Sequence, residues 1–180
     1  MIKIRVVCVG KTKEPYIVEG LRMLKRKIEF YCRFDTVFVK EARYASGNIA
    51  QWLACEAKGI CKHLSGRSVT VACDERGRQM SSIQLANSIA KWMSQGGSHI
   101  DFVVGGAYGM ADTVKERANF VLSLSSMTMT HQMFRLFLYE QVYRSFTILN
   151  GEKYHHVGLS SPVRSECAKR APHFKAGMPI

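Results

Sequence analysis

Three short segments carry residue types that can do chemistry. The first is Gly105, Gly106, Ala107, Tyr108 and Gly109, directly after the apolar run at residues 100–104. Glycines let backbone amides come close to a ligand. In a parallel sheet, ligands bind beyond the carboxyl ends of the strands. A tight strand-to-helix turn explains the same residues equally well. The spacing is GGxxG rather than the GxGxxG of a dinucleotide fingerprint, and no acidic residue closes the apolar run at 120–124. A dinucleotide-dependent oxidoreductase is therefore disfavoured.

The second segment is Leu124, Ser125, Ser126, Met127, Thr128 and Met129. Its hydroxyl and backbone groups can hydrogen-bond an adenine edge while the methionines cover the ring face. An ordinary capped loop is the plain alternative. The third runs from His131 to His156. His131, Arg135, Tyr139 and Tyr143 follow at helical steps, and so do Glu140 and Arg144, which fit a simple helix ion pair. Beyond them, Tyr154, His155 and His156 place a phenol beside two imidazoles. A neutral imidazole near pH 7 accepts protons readily, although a histidine near a chain end is more often inert.

The elements that must position these residues alternate. Residues 2–9 read as a strand closed by Gly10. A helix starts at Pro15, with Tyr16, Val18, Leu21, Leu24 and Ile28 at helical spacing. A short strand follows at 36–39. A helix at 48–63 places Ile49, Leu53, Ala57 and Ile60 on one face. Residues 68–73 form a third strand. Ser81 and Gln84 make a capping box for a helix ending at Gly96 and Gly97. The strand at 100–104 is apolar throughout, as expected where both sheet faces are covered. A short helix near 111–118, a strand at 120–124 and a long helix capped by Thr130 and stopped by Gly151 complete the order. This rhythm predicts an α/β fold with a mainly parallel sheet and flanking helices. Residues 157–180 break it, with Pro162, Pro172, Pro179, Arg164, Lys169, Arg170 and Lys175, and read as an extended or disordered basic tail.

Composition narrows the class. The 180 residues suffice for one domain with a real core, and 47% hydrophobic with 22% charged is ordinary for a globular chain. No apolar run suits a membrane span and the N-terminus reads as a strand, so a cytoplasmic location is expected. The six cysteines contain no CxxC, and no Cys/His grouping has zinc spacing, so reduced core thiols and no metal are expected. Lys plus Arg is 26 against 14 for Asp plus Glu, a net +12. That excess fits a nucleic-acid partner, and a merely well-solvated surface is the bland alternative.

Taken together, four blocks resemble the RlmH family of SPOUT-class methyltransferases. They are IKIRVVCVGK at 2–11, VACDERGRQMSS at 71–82, DFVVGGAYGM at 101–110 and SLSSMTMTHQMFRLFLYEQVYRSFTILNGEKYHH at 123–156. The resemblance spans 1–156, which is nearly the whole family length, and implies a single SPOUT domain with 157–180 as an added tail. It implies a C-terminal trefoil knot, a homodimer with an active site shared between subunits, and S-adenosylmethionine as cofactor. By position, the implied cofactor pocket falls on Cys73, Gly105, Leu124, Ser125, Ser126, Met127, Thr128 and Met129. The implied reaction is methylation at N3 of a pseudouridine in large-subunit rRNA, on the ribosome. The resemblance makes His155 the leading base, with Arg144 and Tyr154 positioning the base or a phosphate. A dedicated base is dispensable if the sulfonium charge lowers the acceptor's proton affinity.

The chain departs from the family pattern at three residues. Cys73 replaces a leucine, Thr130 a proline, and His156 an arginine or lysine. Two other readings stay open: a non-catalytic RNA- or ribosome-binding protein of the same fold, and a SPOUT methyltransferase acting on another RNA. If the net charge serves RNA binding, affinity measured against salt should fall with a slope of about −0.7 to −0.9 per phosphate contact. A flat salt dependence would leave the charge as surface solvation only.

Overall fold

A computed structural model describes residues 3–42, 48–64, 66–94 and 99–154. Five strands and five helices alternate: β1 (Lys3–Val9), α1 (Pro15–Glu29), β2 (Arg33–Val39), α2 (Ile49–Cys61), β3 (Ser68–Gln79), α3 (Ser82–Ser94), β4 (His99–Val104), α4 (Asp112–Glu116), β5 (Phe120–Ser123) and α5 (His131–Leu149). The strands form one sheet of order β2-β1-β4-β3-β5, and every pairing is parallel. All five carboxyl ends therefore lie along one edge.

Both faces are covered, which explains the apolar strands. One face packs Val6, Cys8, Val71, Phe102 and Leu122 against Ile28 of α1, Leu85 and Ile89 of α3, and Leu138 and Val142 of α5. The other packs Val7, Ala72 and Val103 against Ala57 and Ile60 of α2 and Val114 of α4. At the amino end of the sheet, the wholly buried Asp101 accepts from Arg5 Nε and Nη2 at 2.8 and 2.9 Å. That bidentate pair lies far from the glycine turn and ties β1 to β4.

Several start and stop signals hold. The capping box closes in both directions: Ser81 N–H donates to Gln84 Oε1 at 2.9 Å and Gln84 N–H to Ser81 Oγ at 3.2 Å. Thr130 caps α5 by accepting from Met133 N–H at 3.2 Å. Gly151 ends the helix at φ +68°. The expected helix end at Gly96 and Gly97, His155, His156 and the tail at 157–180 lie outside the described residues.

Several expectations change: β2 begins at Arg33 rather than at 36, and Ile49 at the start of α2 is 49% exposed. In α1 the buried stripe begins at Ile17 and ends at Ile28, with Leu21 and Leu24 between, while Tyr16 and Val18 are exposed. Steps of four, three and four from Ile17 fix that face. β3 continues past Cys73 to Gln79. Residues 74–77 bulge out, and Cys73 and Arg78 both stand opposite Leu122. A Cβ on Gly77 would lie 2.6 Å from the Leu122 carbonyl carbon, so only glycine admits this approach.

The long helix α5 runs between α1 and α3 and has little polar face. On its inner side Arg135 is 1% exposed. Its Nη2 donates to the Val9 carbonyl and its Nη1 to Thr12 Oγ1 at 2.9 Å. Arg135→Met would leave both acceptors unpaired. We expect it to cost about 2–4 kcal/mol, read as a lower urea midpoint with unchanged slope. An unchanged midpoint would remove Arg135 as the anchor of α5.

Candidate functional site

The site begins where the strands end. The Gly105 turn follows β4 as a small antiparallel bridge: Gly106 N–H donates to Gly109 O at 3.2 Å and Gly109 N–H to Gly106 O at 3.1 Å. A Cβ on Gly105 would sit 2.2 Å from the Gly109 carbonyl oxygen. Gly105 is thus demanded by the turn itself. A bulky residue there would disturb the turn whether or not a ligand binds, so this substitution does not report on a pocket by itself.

The loop at 124–130 is organised from its own hydroxyls. Buried Ser123 donates through Oγ to the Ser125 carbonyl at 3.0 Å, and Met127 N–H donates to Ser125 Oγ at 2.9 Å. No backbone-to-backbone hydrogen bond closes residues 124–129 among the described residues. Their remaining amides and carbonyls are free to meet a ligand. Ser126, Met127 and Thr128 are exposed, and Leu124 packs on the core cluster that includes Cys73. Burial raises the Cys73 thiol well above its ordinary range and pushes the Cys8 thiol up to about 11. Both stay protonated near pH 7, so neither is a nucleophile; Cys73 offers an apolar wall.

The loop's course brings these residues together. It leaves β5 at the sheet edge and must reach β1, where Gln132 Oε1 accepts from Lys13 N–H at 2.8 Å and Arg135 holds Val9. That is three strand spacings, about 14 Å, across the ends of β3 and β4, where Cys73 and Gly105 stand. His131 opens α5 here, and desolvation, then the Arg135 charge, lowers its pKa. It is neutral near pH 7.

The donor set suits an uncharged or cationic ligand. The Gly105 turn and residues 124–129 contain no Lys or Arg. Asp112, in the first turn of α4, is paired with Lys115 Nζ at 2.7 Å. An adenosine bearing a sulfonium fits this lining, whereas a dinucleotide does not.

The other sequence-derived candidates lie elsewhere. Arg144 Nε donates to Glu140 Oε1 at 2.8 Å, its guanidinium stands 4.7 Å over the Tyr154 ring, and Tyr154 donates to Glu140 at 3.4 Å. Tyr143 packs edge-on to Tyr154 at 4.9 Å between centroids. The Glu140 hydrogen bond holds the Arg144 pKa above its ordinary value, and desolvation followed by Glu140 raises that of Tyr154. Arg144 is fourteen residues past Thr130 on one helix, about 21 Å along its axis. Within one chain, Arg144 and Tyr154 are not brought to the loop that carries Ser125 and Met127. Arg135 was visible in the sequence only as a member of a helical series. A cation on an otherwise apolar face was the signal for its anchoring role. Among the described residues no group of three His, Cys, Asp or Glu can hold a metal ion.

Comparison with known proteins gives a consistent result. The sequence profile described as Predicted SPOUT methyltransferase matches residues 2–155. The chain is 41% identical over 155 residues to a ribosomal RNA large subunit methyltransferase H of Trichlorobacter lovleyi, covering 86% of this chain and 100% of that protein. It is 38% identical over 159 residues to a protein of the same name from Acetivibrio thermocellus, covering 86% and 99%. Among solved structures, a probable methyltransferase from Bordetella pertussis matches with TM-score 0.52 and 8% identity, over 80% of this chain and 94% of that one. A probable methylase family protein from Haemophilus influenzae matches with TM-score 0.50 and 14% identity, over 86% and 70%. At such identities these two speak for the fold alone.

Proposed function

The chain belongs to the SPOUT methyltransferase family, and we propose that it transfers a methyl group from S-adenosylmethionine to N3 of a pseudouridine in large-subunit ribosomal RNA. The observation that carries this reading is the convergence of Cys73, Gly105 and residues 124–129 at one sheet edge, with free backbone groups and no cation. Its relatives' shared name supplies the RNA. The pseudouridine and its N3 rest on the resemblance of the motif blocks. Residues 1–156 form the catalytic domain and 157–180 a basic tail in this reading. Ribosomes place the work in the cytoplasm, and no helix among the described residues is long and apolar enough to cross a membrane.

When bound, the cofactor supplies an electrophilic methyl group on a sulfonium. The chain's own task is mainly positioning, because methyl transfer needs an in-line approach of the acceptor nitrogen. Backbone groups of 124–129 would hold the adenine, with Met127 and Met129 over its face. His155, next to the Tyr154 that Glu140 and Arg144 hold in place, would accept the N3 proton. His155→Ala should then cut transfer about 10²–10⁴-fold with cofactor affinity kept, and full turnover would exclude it as the base.

The 21 Å separation favours a homodimer in which one protomer binds the cofactor and its partner brings Arg144, Tyr154 and His155. Exposed Tyr16, Met127 and Met133 give that assembly an apolar surface. The connection from edge strand β5 to α5, wedged between α1 and α3, supports the trefoil passage of the family. Two crippled chains test the shared site. Ser126→Trp, which fills the pocket, and Arg144→Ala should each be inactive alone. Co-expressed, they should recover about a quarter of wild-type activity, because half of randomly paired dimers hold one intact site. No recovery would place the whole site within one chain.

The primary experiment is transfer of radiolabelled methyl groups to ribosomes lacking the modification, followed by mapping of the label. Label on the large-subunit pseudouridine is expected. Label on another nucleotide would keep the enzyme and change its substrate. Cofactor binding without label would favour a non-catalytic ribosome-binding protein.

A further inference from the structure

The cofactor pocket proposed above lies at the ends of β4, β3 and β5, and the Gly105 turn continues from it towards the end of β1. There the glycine turn carries an aromatic residue the pocket does not use. Tyr108 is 59% exposed. Turn tips ordinarily take small or polar residues. Trp52 of α2 stands behind it, with centroids 5.5 Å apart and rings tilted by 53°. That contact restrains the tyrosine ring and leaves much of it in solvent. A Cβ on Gly106 would lie 3.2 Å from Val9 Cγ1, so the turn lies against the end of β1. The exposed Lys11 follows two residues later, with Lys13 beyond it.

Resting on the reading of this chain as an RNA methyltransferase, we infer that Tyr108, backed by Trp52, is a stacking platform for an unpaired base of the RNA substrate beside the methylated nucleotide. Every base presents a π-face, so an exposed ring on the rim of the pocket can hold a flanking nucleotide without reading its sequence. A base stacked there fixes the strand close to the Gly105 turn, one strand from the proposed adenine site. Glu14 stands in the same loop as Lys11 and Lys13, and Glu41, after β2, lies 3.7 Å from where a Cβ on Gly10 would be, so the local cation excess is small. The ring, not charge, carries the contact. Tyr108 is not among the residues proposed to hold the cofactor or the acceptor base, which separates its effect from theirs.

The test uses full-length protein and ribosomes lacking the modification, with two readouts: ribosome affinity by filter binding, which needs no turnover, and steady-state methyl transfer. Tyr108→Ala should weaken ribosome binding about 5- to 100-fold and raise KM for ribosomes by a similar factor. kcat at saturating ribosomes, affinity for S-adenosylmethionine and Tm should stay close to wild type. Tyr108→Phe, which keeps the ring, should restore binding. The salt slope of Tyr108→Ala should match that of wild type, because no phosphate contact is lost. Unchanged ribosome affinity in Tyr108→Ala overturns the platform, and so does a fall in kcat at constant KM. Failure of Tyr108→Phe to rescue would replace stacking by a hydroxyl contact. If wild type binds ribosomes but transfers no methyl group, the enzymatic reading fails while the binding series still decides the platform. If wild type does not bind ribosomes, both fail.

Discussion

The buried guanidinium of Arg135 sets the geometry on which the rest of the molecule depends. Burying a cation is costly unless its hydrogen bonds are met; Arg135 places Nη2 on the Val9 carbonyl and Nη1 on the Thr12 hydroxyl, while Nε has no partner among the described residues. Those acceptors lie at the end of β1, whereas the chain enters α5 from β5 at the far edge of the sheet. Residues 124–130 have to bridge that distance. A seven-residue extended segment reaches roughly 24 Å at most, so a gap of about 14 Å leaves slack but little choice of route. The loop is drawn across the ends of β3 and β4 because the next helix is pinned beyond them. A side chain that touches no proposed ligand thus determines where the proposed ligand's contacts lie.

The same helix bears on the proposed sharing of the site between two chains. α5 is one continuous helix of 19 residues, with the Thr130 cap and His131 at its start and Glu140 and Arg144, joined by Tyr154 beyond its end, further along. A helix cannot fold its two ends together. Met133, Leu136 and Phe137 remain partly exposed between them, where a monomeric surface helix would present charge. An assembly of two copies answers both problems, since it covers the apolar side and can set one chain's Arg144 cluster against the other's loop. That is the physical case for the shared site proposed above.

Much of this was legible in the sequence because it is written in local terms. Thr130, the Ser81 and Gln84 box and Gly151 act through hydrogen bonds or dihedrals within a few residues, so their types alone declare them. The strands were legible through apolar runs. β3 beyond Cys73 was not, because residues 74–79 are polar or glycine and carry no apolar run. What makes them a strand is the backbone of β5, reached through the missing Cβ of Gly77. Tyr16 was misplaced for a related reason: its neighbour Ile17 is equally apolar, and only the packing of α1 selects between them. Arg135 was least legible. Nothing nearby in sequence marks a cation for burial, and its acceptors are more than a hundred residues away. The resemblance supplied the grouping of Cys73, Gly105 and 124–129, which spacing alone could not.

The departures from the family pattern can be weighed on the same physical footing. Thr130 retains a helix start, with a side-chain cap in place of a proline's fixed φ. Cys73 is buried and protonated in the core cluster on which Leu124 packs. It therefore does what a leucine would do at a wall, at smaller volume, which loosens the proposed pocket without adding a reactive group. Gly105 is held by its own turn, so its glycine would be needed even in a relative that bound nothing. The distinguishing feature of the proposed pocket is then the loop at 124–129, where backbone groups stand unpaired and no cation offsets a phosphate. A ligand that brings its own positive charge and asks only for neutral hydrogen bonds is the one this lining favours.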